Sequence, residues 1–193
     1  VEYYNIEELI NKFSLERVNK SGAVFDLDKL TWLNAEHLRK KTTPEIVELV
    51  KKEYAKTTYT KECSDDLFAK MVDSMRERIE FAHELIEKCP YFFETPTDYD
   101  MDVFKKGWKE DSPVLLTKIK EELSKLENPA KEDYDHLIHK FAEENEIGMG
   151  KIIHPLRLAV SGVGVGPGLF DILDIIGKEE VLLRIQKILD KFK

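Results

Sequence analysis

Between Leu67 and Ile86 the apolar residues Leu67, Phe68, Met71, Val72, Met75, Ile79, Ala82 and Ile86 return mostly at intervals of three or four. That spacing lines one face of an α-helix and does not suit the period of two that a half-buried strand needs. Ser64 ahead of Asp65 and Asp66 supplies an N-cap and acidic residues suited to the helix dipole, and Pro90 sets a limit downstream. A single long helix through Ile86, ending before Pro90, is the expectation.

The same period recurs elsewhere. Residues 5–18 carry Ile6, Leu9, Ile10 and Phe13, with Ser14 placed to cap a short second helix from Leu15. Asn19-Lys20-Ser21-Gly22 is turn chemistry. Asp26 is the expected cap of a helix from Leu27, and Asn34 of one after it; Trp32 reads as core. Thr43-Pro44 places a cap residue before a proline at the first helical position. Further helices are expected over 114–126, 131–145, 169–176 and 179–192, the third closed by Gly177. No segment alternates convincingly as a strand with hairpin turns. The expected fold is all-α, built from short helix pairs.

From Tyr91 to Asp102 the composition shifts to Pro, Thr and Asp around aromatics, which sets a domain boundary near Glu94. The acidic cluster Asp98, Asp100 and Asp102 lacks the glycine and distal Glu of a calcium loop and reads as a solvated linker. The organisation expected is 1–42, 43–94 and 95–193.

Composition narrows the functions. The chain has 193 residues, a formal net charge of −8 and 42% hydrophobic residues, enough for a core. No apolar run approaches the roughly 18–20 residues of a membrane span, and no secretory signal is visible at the start. The chain does not begin with Met, which reads as a fragment or processed product. Cys63 and Cys89 lack metal-site spacing and read as reduced cytosolic thiols. An acidic chain has no generic affinity for nucleic acid, so any RNA contact must come from a local patch.

One such patch is evident. Gly148–Phe170, GMGKIIHPLRLAVSGVGVGPGLF, contains no Asp or Glu, and its fixed charges are Lys151 and Arg157. Glycines alternate at Gly162, Gly164, Gly166 and Gly168, where backbone can approach a ligand closely. A dinucleotide fingerprint needs a strand before it and a third glycine at a different spacing, so it is rejected. His136 and His139 imply no third metal ligand and fit a solvated helix face. No Walker-type loop or Ser/His/Asp set occurs, so neither an ATP site nor a catalytic residue is expected here.

Two arginines stand out. On a continuous helix, Arg78 falls within about 20° of Leu67 and Met71, on the apolar stripe, with Arg76 on the opposite side. A guanidinium there needs an internal carboxylate, a path to water or a ligand. Arg157 follows Pro155 in the acid-free stretch. It is either a base- or phosphate-reading group or a surface arginine paired with a carboxylate from elsewhere.

FSLERVNKSGAVFDLDKLTWLNAEHLRK, the MRER of Met75–Arg78, KIIHPLRLAVSG and GPGLFDILDIIGKEEVLLRI together resemble the C-terminal part of bacterial glutamyl-tRNA synthetase. The resemblance covers nearly the whole chain and implies the end of a stem-contact region followed by two helical anticodon-binding subdomains. It implies tRNA(Glu) as partner, not DNA or a membrane, and a cytoplasmic, monomeric parent enzyme. ATP and magnesium would serve a catalytic domain whose signatures are absent here, so this chain alone should not activate glutamate. By the resemblance, Arg78 reads the third anticodon base and marks an enzyme that rejects tRNA(Gln). Arg157 packs on the first base, and Gly166, Pro167, Gly168 and Leu169 surround the first two. Gly166 offers backbone contacts only, and Lys151 joins the set as an RNA contact. The competing expectation is a helical protein–protein adaptor without RNA binding.

Overall fold

The computed structural model describes residues 4–18, 22 and 24–192. Among these residues it contains helices and no strand. Two N-terminal elements, α1 (Ile6–Lys12) and a 3-10 turn (Leu15–Arg17), bury none of their side chains. α1 is held locally: Asn5 Oδ1 accepts from the Glu8 amide and Glu8 Oε2 accepts from the Asn5 amide, both at 2.8 Å. Ser14 donates to the Glu16 carboxylate and caps nothing. The turn expected at Asn19-Lys20-Ser21 lies outside the described residues.

α2 (Leu27–Lys40) starts as expected, with Asp26 Oδ1 accepting from the Lys29 amide at 3.1 Å. It does not divide at Asn34. That side chain sits mid-helix and donates to the Glu80 carbonyl, so a long-range bond takes the group that would have capped a new helix. Trp32 is 45% exposed, so the expected core role fails among the described residues. α3 (Thr43–Tyr54) begins one residue early: Thr42 is the cap, its amide donating to Glu45 at 2.7 Å, and Pro44 takes the second helical position.

The long helix expected from Ser64 breaks. α4 (Asp65–Met75), capped by Ser64 Oγ accepting from the Leu67 amide, runs into a 3-10 turn (Arg76–Arg78). Ile79 then turns extended at φ −117°, ψ 143°, before α5 (Glu84–Lys88) and a second 3-10 turn (Pro90–Phe92). Two bonds reward the break. The Glu80 amide donates to Glu84 Oε2 at 2.8 Å, and its carbonyl accepts from Asn34. The apolar residues are still used, since Met75, Ile79, Leu85 and Ile86 are all buried. They reach the core from a bent chain.

Then follow α6 (Met101–Gly107), α7 (Ser112–Ser124), α8 (Lys131–Glu144), α9 (Gly150–Ser161), α10 (Leu169–Ile176) and α11 (Lys178–Lys191). The acidic cluster before α6 has a structural use: Asp100 Oδ1 accepts from the Asp102 and Val103 amides at 2.9 and 3.0 Å. Gly177 closes α10 at φ +83°, as its sequence position suggested. α7 packs on α9 and α11, while α10 packs on both α8 and α4. The buried apolar residues form one cluster from Leu38 to Leu189. Each fully buried Leu or Ile in it contributes roughly 1.5–3 kcal/mol.

Arg184 on α11 fastens the chain on both sides of Glu94. It is 1% exposed. Its guanidinium donates to Glu180 Oε1 at 2.7 Å, to the carbonyls of Tyr91 at 2.8 Å and Val160 at 2.5 Å, and to that of Glu94 at 3.1 Å. A buried cation is tolerable because four hydrogen bonds carry its charge to three carbonyls and a carboxylate.

Candidate nucleic-acid interface

The break after Met75 reverses the roles expected of the two neighbouring arginines. A 3-10 turn advances about 120° per residue, against 100° in an α-helix, so the register carried from Leu67 no longer holds. Arg76 turns inward: it is half-buried, Nη2 donates to Thr43 Oγ1 at 3.1 Å, and its buried Nε has no hydrogen-bond partner. Arg78 is exposed rather than on the apolar stripe. Among the described residues no carboxylate pairs with it. Its backbone is anchored by Lys88 Nζ, which donates to the Arg78 carbonyl at 3.2 Å.

Arg78 lines a groove of about 620 Å³ with Lys70 and Ser74 of α4, Lys131 of α8, and Gly168 and Asp171 at the start of α10. The carboxylates of α10 in this groove are already neutralised, Asp174 by Lys70 at 2.7 Å and Asp171 by Lys131 at 2.6 Å. Asp73 and Glu132 also line it. Arg78 is left as a cation without a fixed counter-ion.

Arg157 sits inside α9, half-buried, and Nη1 donates to the Pro167 carbonyl at 2.9 Å. The surface ion pair that would have made it structural is absent among the described residues. Burial lowers its pKa from the usual guanidinium value, the Arg78 cation lowers it further, and Tyr91 works in the opposite sense. The two arginines are linked through the glycine loop, since Arg157 bonds the Pro167 carbonyl and the next residue, Gly168, lines the groove of Arg78.

The glycine loop is built to hold this side. Ser161 Oγ bridges the Arg157 and Val163 carbonyls at 2.8 and 3.0 Å, and the Gly162 carbonyl accepts from the Asp100 amide at 2.8 Å. Gly166 has φ +147°, a region closed to most side chains. Pro167 is buried and Gly168 exposed beside Arg78's groove. Leu169 is 4% exposed, so its side chain belongs to the core. Lys151 lies six residues before Arg157, about 9 Å along α9. It pairs with Asp111 at 2.9 Å, away from the glycine loop.

Sequence reasoning passed over two residues here. Arg184 falls between Val181 and Ile185 on the buried face of α11, and the periodicity argument applied to Arg78 finds it. Tyr91 had no such signal. It is 2% exposed, and its hydroxyl lies beneath Gly166, a contact only the tertiary fold creates.

Residues 30–189 match the family described as the anticodon binding domain. This chain belongs to that family. The chain is 39% identical over 194 residues to a glutamate–tRNA ligase of Chlorobaculum parvum, which takes in 96% of this chain and 39% of that protein. It is 37% identical to the same-named protein of Flavobacterium psychrophilum, over 96% of this chain and 36% of that one. A solved glutamate tRNA ligase from Elizabethkingia meningosepticum, in complex with its amino acid, superposes with a TM-score of 0.91 at 34% identity. That match covers 97% of this chain and 37% of the other. The anticodon binding domain described here thus spans less than two-fifths of the ligases it resembles. None of these matches supports the helical-adaptor alternative.

Proposed function

We propose that this anticodon binding domain recognises tRNA(Glu) as the C-terminal region of a glutamate–tRNA ligase. The observation that carries the reading is convergence: Arg78 and Gly168 line one groove, and Arg157 is bonded to the intervening loop at Pro167. Two guanidiniums without carboxylate partners suit splayed bases, which are read by stacking and by hydrogen bonds to their edges. Arg78 contacts the third anticodon base and excludes tRNA(Gln). Arg157, with the Gly166–Leu169 loop, receives the first two, and Lys151 contributes at most a peripheral phosphate contact. On this reading 43–94 and 95–193 are two subdomains giving one wall each, and 1–42 ends a stem-contact region.

ATP and magnesium chemistry is assigned to the rest of such a ligase. Among the described residues no group of three or more His, Cys, Asp or Glu could hold a metal ion, and the sequence has no glycine-lysine phosphate loop. No described helix is long and apolar enough to cross a membrane. We read the parent ligase as a cytoplasmic monomer acting on tRNA and not on DNA. Filter binding tests the function, using tRNA(Glu), a variant altered at the third anticodon base, and an unrelated tRNA, against the wild-type chain and Arg78→Gln. The wild type should prefer tRNA(Glu), and Arg78→Gln should lose most of the preference at the third base. Equal losses for every RNA would remove the reading role of Arg78.

A further inference from the structure

We propose that Tyr91 is a positioning residue of the anticodon site, its hydroxyl setting the backbone of Gly166 and thereby the Arg157 wall. The inference rests on the function proposed above and adds a residue to it. Tyr91 is held at both ends. Its carbonyl accepts from Arg184 Nη1 at 2.8 Å, and its hydroxyl donates to Cys89 Sγ at 3.2 Å. Its ring packs edge-on against Phe92 with centroids 5.1 Å apart. Both ends being fixed, the phenol has one place to go.

That place is under the glycine loop. A β-carbon built on Gly166 would stand 2.6 Å from the Tyr91 hydroxyl oxygen and 3.9 Å from Arg157 Nη1. Real side chains do not approach that closely, so the hydroxyl fills the volume a side chain at 166 would need. The next carbonyl along the loop, Pro167, is the one that accepts from Arg157. A continuous set of contacts therefore runs from Arg184 through Tyr91 and Gly166 to Pro167 and Arg157. A binding group is only as well placed as the contacts that hold it. The Arg78 groove is lined by α4, α8 and α10 and does not include Tyr91. The hydroxyl should therefore act on one wall and spare the other.

Tyr91→Phe keeps the ring and deletes only the hydroxyl. Titration of the wild-type chain and this variant with tRNA(Glu), and with RNAs altered at the first or the third anticodon base, reads the two walls separately. The variant should bind tRNA(Glu) about tenfold more weakly and lose first-base selectivity by a similar factor, with third-base selectivity kept. A second measurement uses Gly166→Ala, alone and with Tyr91→Phe. With the hydroxyl gone, the nearest ring atom is 3.7 Å from the new methyl, so the alanine should cost a smaller factor in the double variant. The φ of +147° remains a penalty in both backgrounds. An equal cost of Gly166→Ala in the two backgrounds, or parallel loss of first- and third-base selectivity in Tyr91→Phe, overturns the role of Tyr91. A selective wild type with unaltered Tyr91→Phe overturns this proposal alone. A wild type that binds all the RNAs alike overturns the proposed function, and this role with it.

Discussion

The two walls of the proposed site carry their arginines in opposite ways. Arg157 is half-buried in the middle of α9, with a guanidinium nitrogen already committed to the Pro167 carbonyl. Arg78 stands exposed at the end of a 3-10 turn, with only its backbone anchored. A side chain fixed before the ligand arrives loses little freedom on binding, whereas a loose one must be ordered at that moment. On the proposed function, the Arg157 wall is therefore the one suited to supplying affinity. On the same proposal, the Arg78 wall is suited to a discrimination made only when the correct base repays the ordering. Arg184 is the useful third case: buried, it does not line the groove, and it ties the carbonyls of Tyr91, Glu94 and Val160 together.

Removing Arg184 should break both walls together and gives the largest expected effect. Arg184→Met leaves the carbonyls of Tyr91, Val160 and Glu94 without this donor and Glu180 without its ion pair. A loss of about 3–5 kcal/mol of folding stability is expected, measured by urea unfolding, with affinity for all RNAs falling alike. A loss below about 1 kcal/mol would show that the junction does not depend on it.

Arg157→Ala separates the walls. The affinity lost for tRNA(Glu) should lie toward the top of the roughly 1–3 kcal/mol associated with one base contact, because the group is pre-placed. The unfolding midpoint should move little, since one half-buried hydrogen bond to Pro167 is removed. Fluorescence anisotropy and thermal unfolding on the same sample check both halves of this expectation. Arg78→Gln should cost less, nearer 1 kcal/mol of that range, and almost all of it as selectivity at the third base. Competition between tRNA(Glu) and the third-base variant measures it. Should Arg78→Gln lose more total affinity than Arg157→Ala, the contrast between the two walls fails.

The smallest effect at neutral pH belongs to Cys89, which is buried and accepts from the Tyr91 hydroxyl at 3.2 Å. Burial pushes its thiol up to about 11 from 9.0, with the Tyr91 hydroxyl, Lys88 and Arg78 pulling the other way. A folded-state value above the unfolded one means that this stability is fully present below about pH 9. It is lost as pH rises toward 11, because only the unfolded thiol ionises freely in that window. Denaturation midpoints between pH 8 and pH 11 should fall less steeply in Cys89→Ala than in the wild type. An identical slope would place the alkaline sensitivity elsewhere.

How far the sequence reached can be read at individual residues. Asp26 and Ser64 cap as their neighbours suggested, and Gly177 ends α10, because caps depend on a few adjacent atoms. The acid-free composition of Gly148–Phe170 was plain, and the loop it contains does carry the Arg157 contact. For Arg78 the helical period misleads. Its predicted place on the apolar stripe assumed that α4 continued, and Arg76 occupies the inward position instead. The Leu169 side chain is packed in the core, and Lys151 is drawn to Asp111, neither of which a local pattern could have indicated.

Helicity, the caps at Asp26, Ser64 and Gly177 and the location of the acid-free stretch were determined by sequence alone, since each depends on residues within about a turn of one another. Three things were decided only by the tertiary structure: where α4 ends, which of two arginines faces the groove, and what lies under Gly166. The α4 break is supported by Asn34, more than forty positions away, bonding the Glu80 carbonyl. The loop is set by Tyr91, and Tyr91 by Arg184. Contacts between residues so far apart have no period in the sequence; they exist only once the helices have packed.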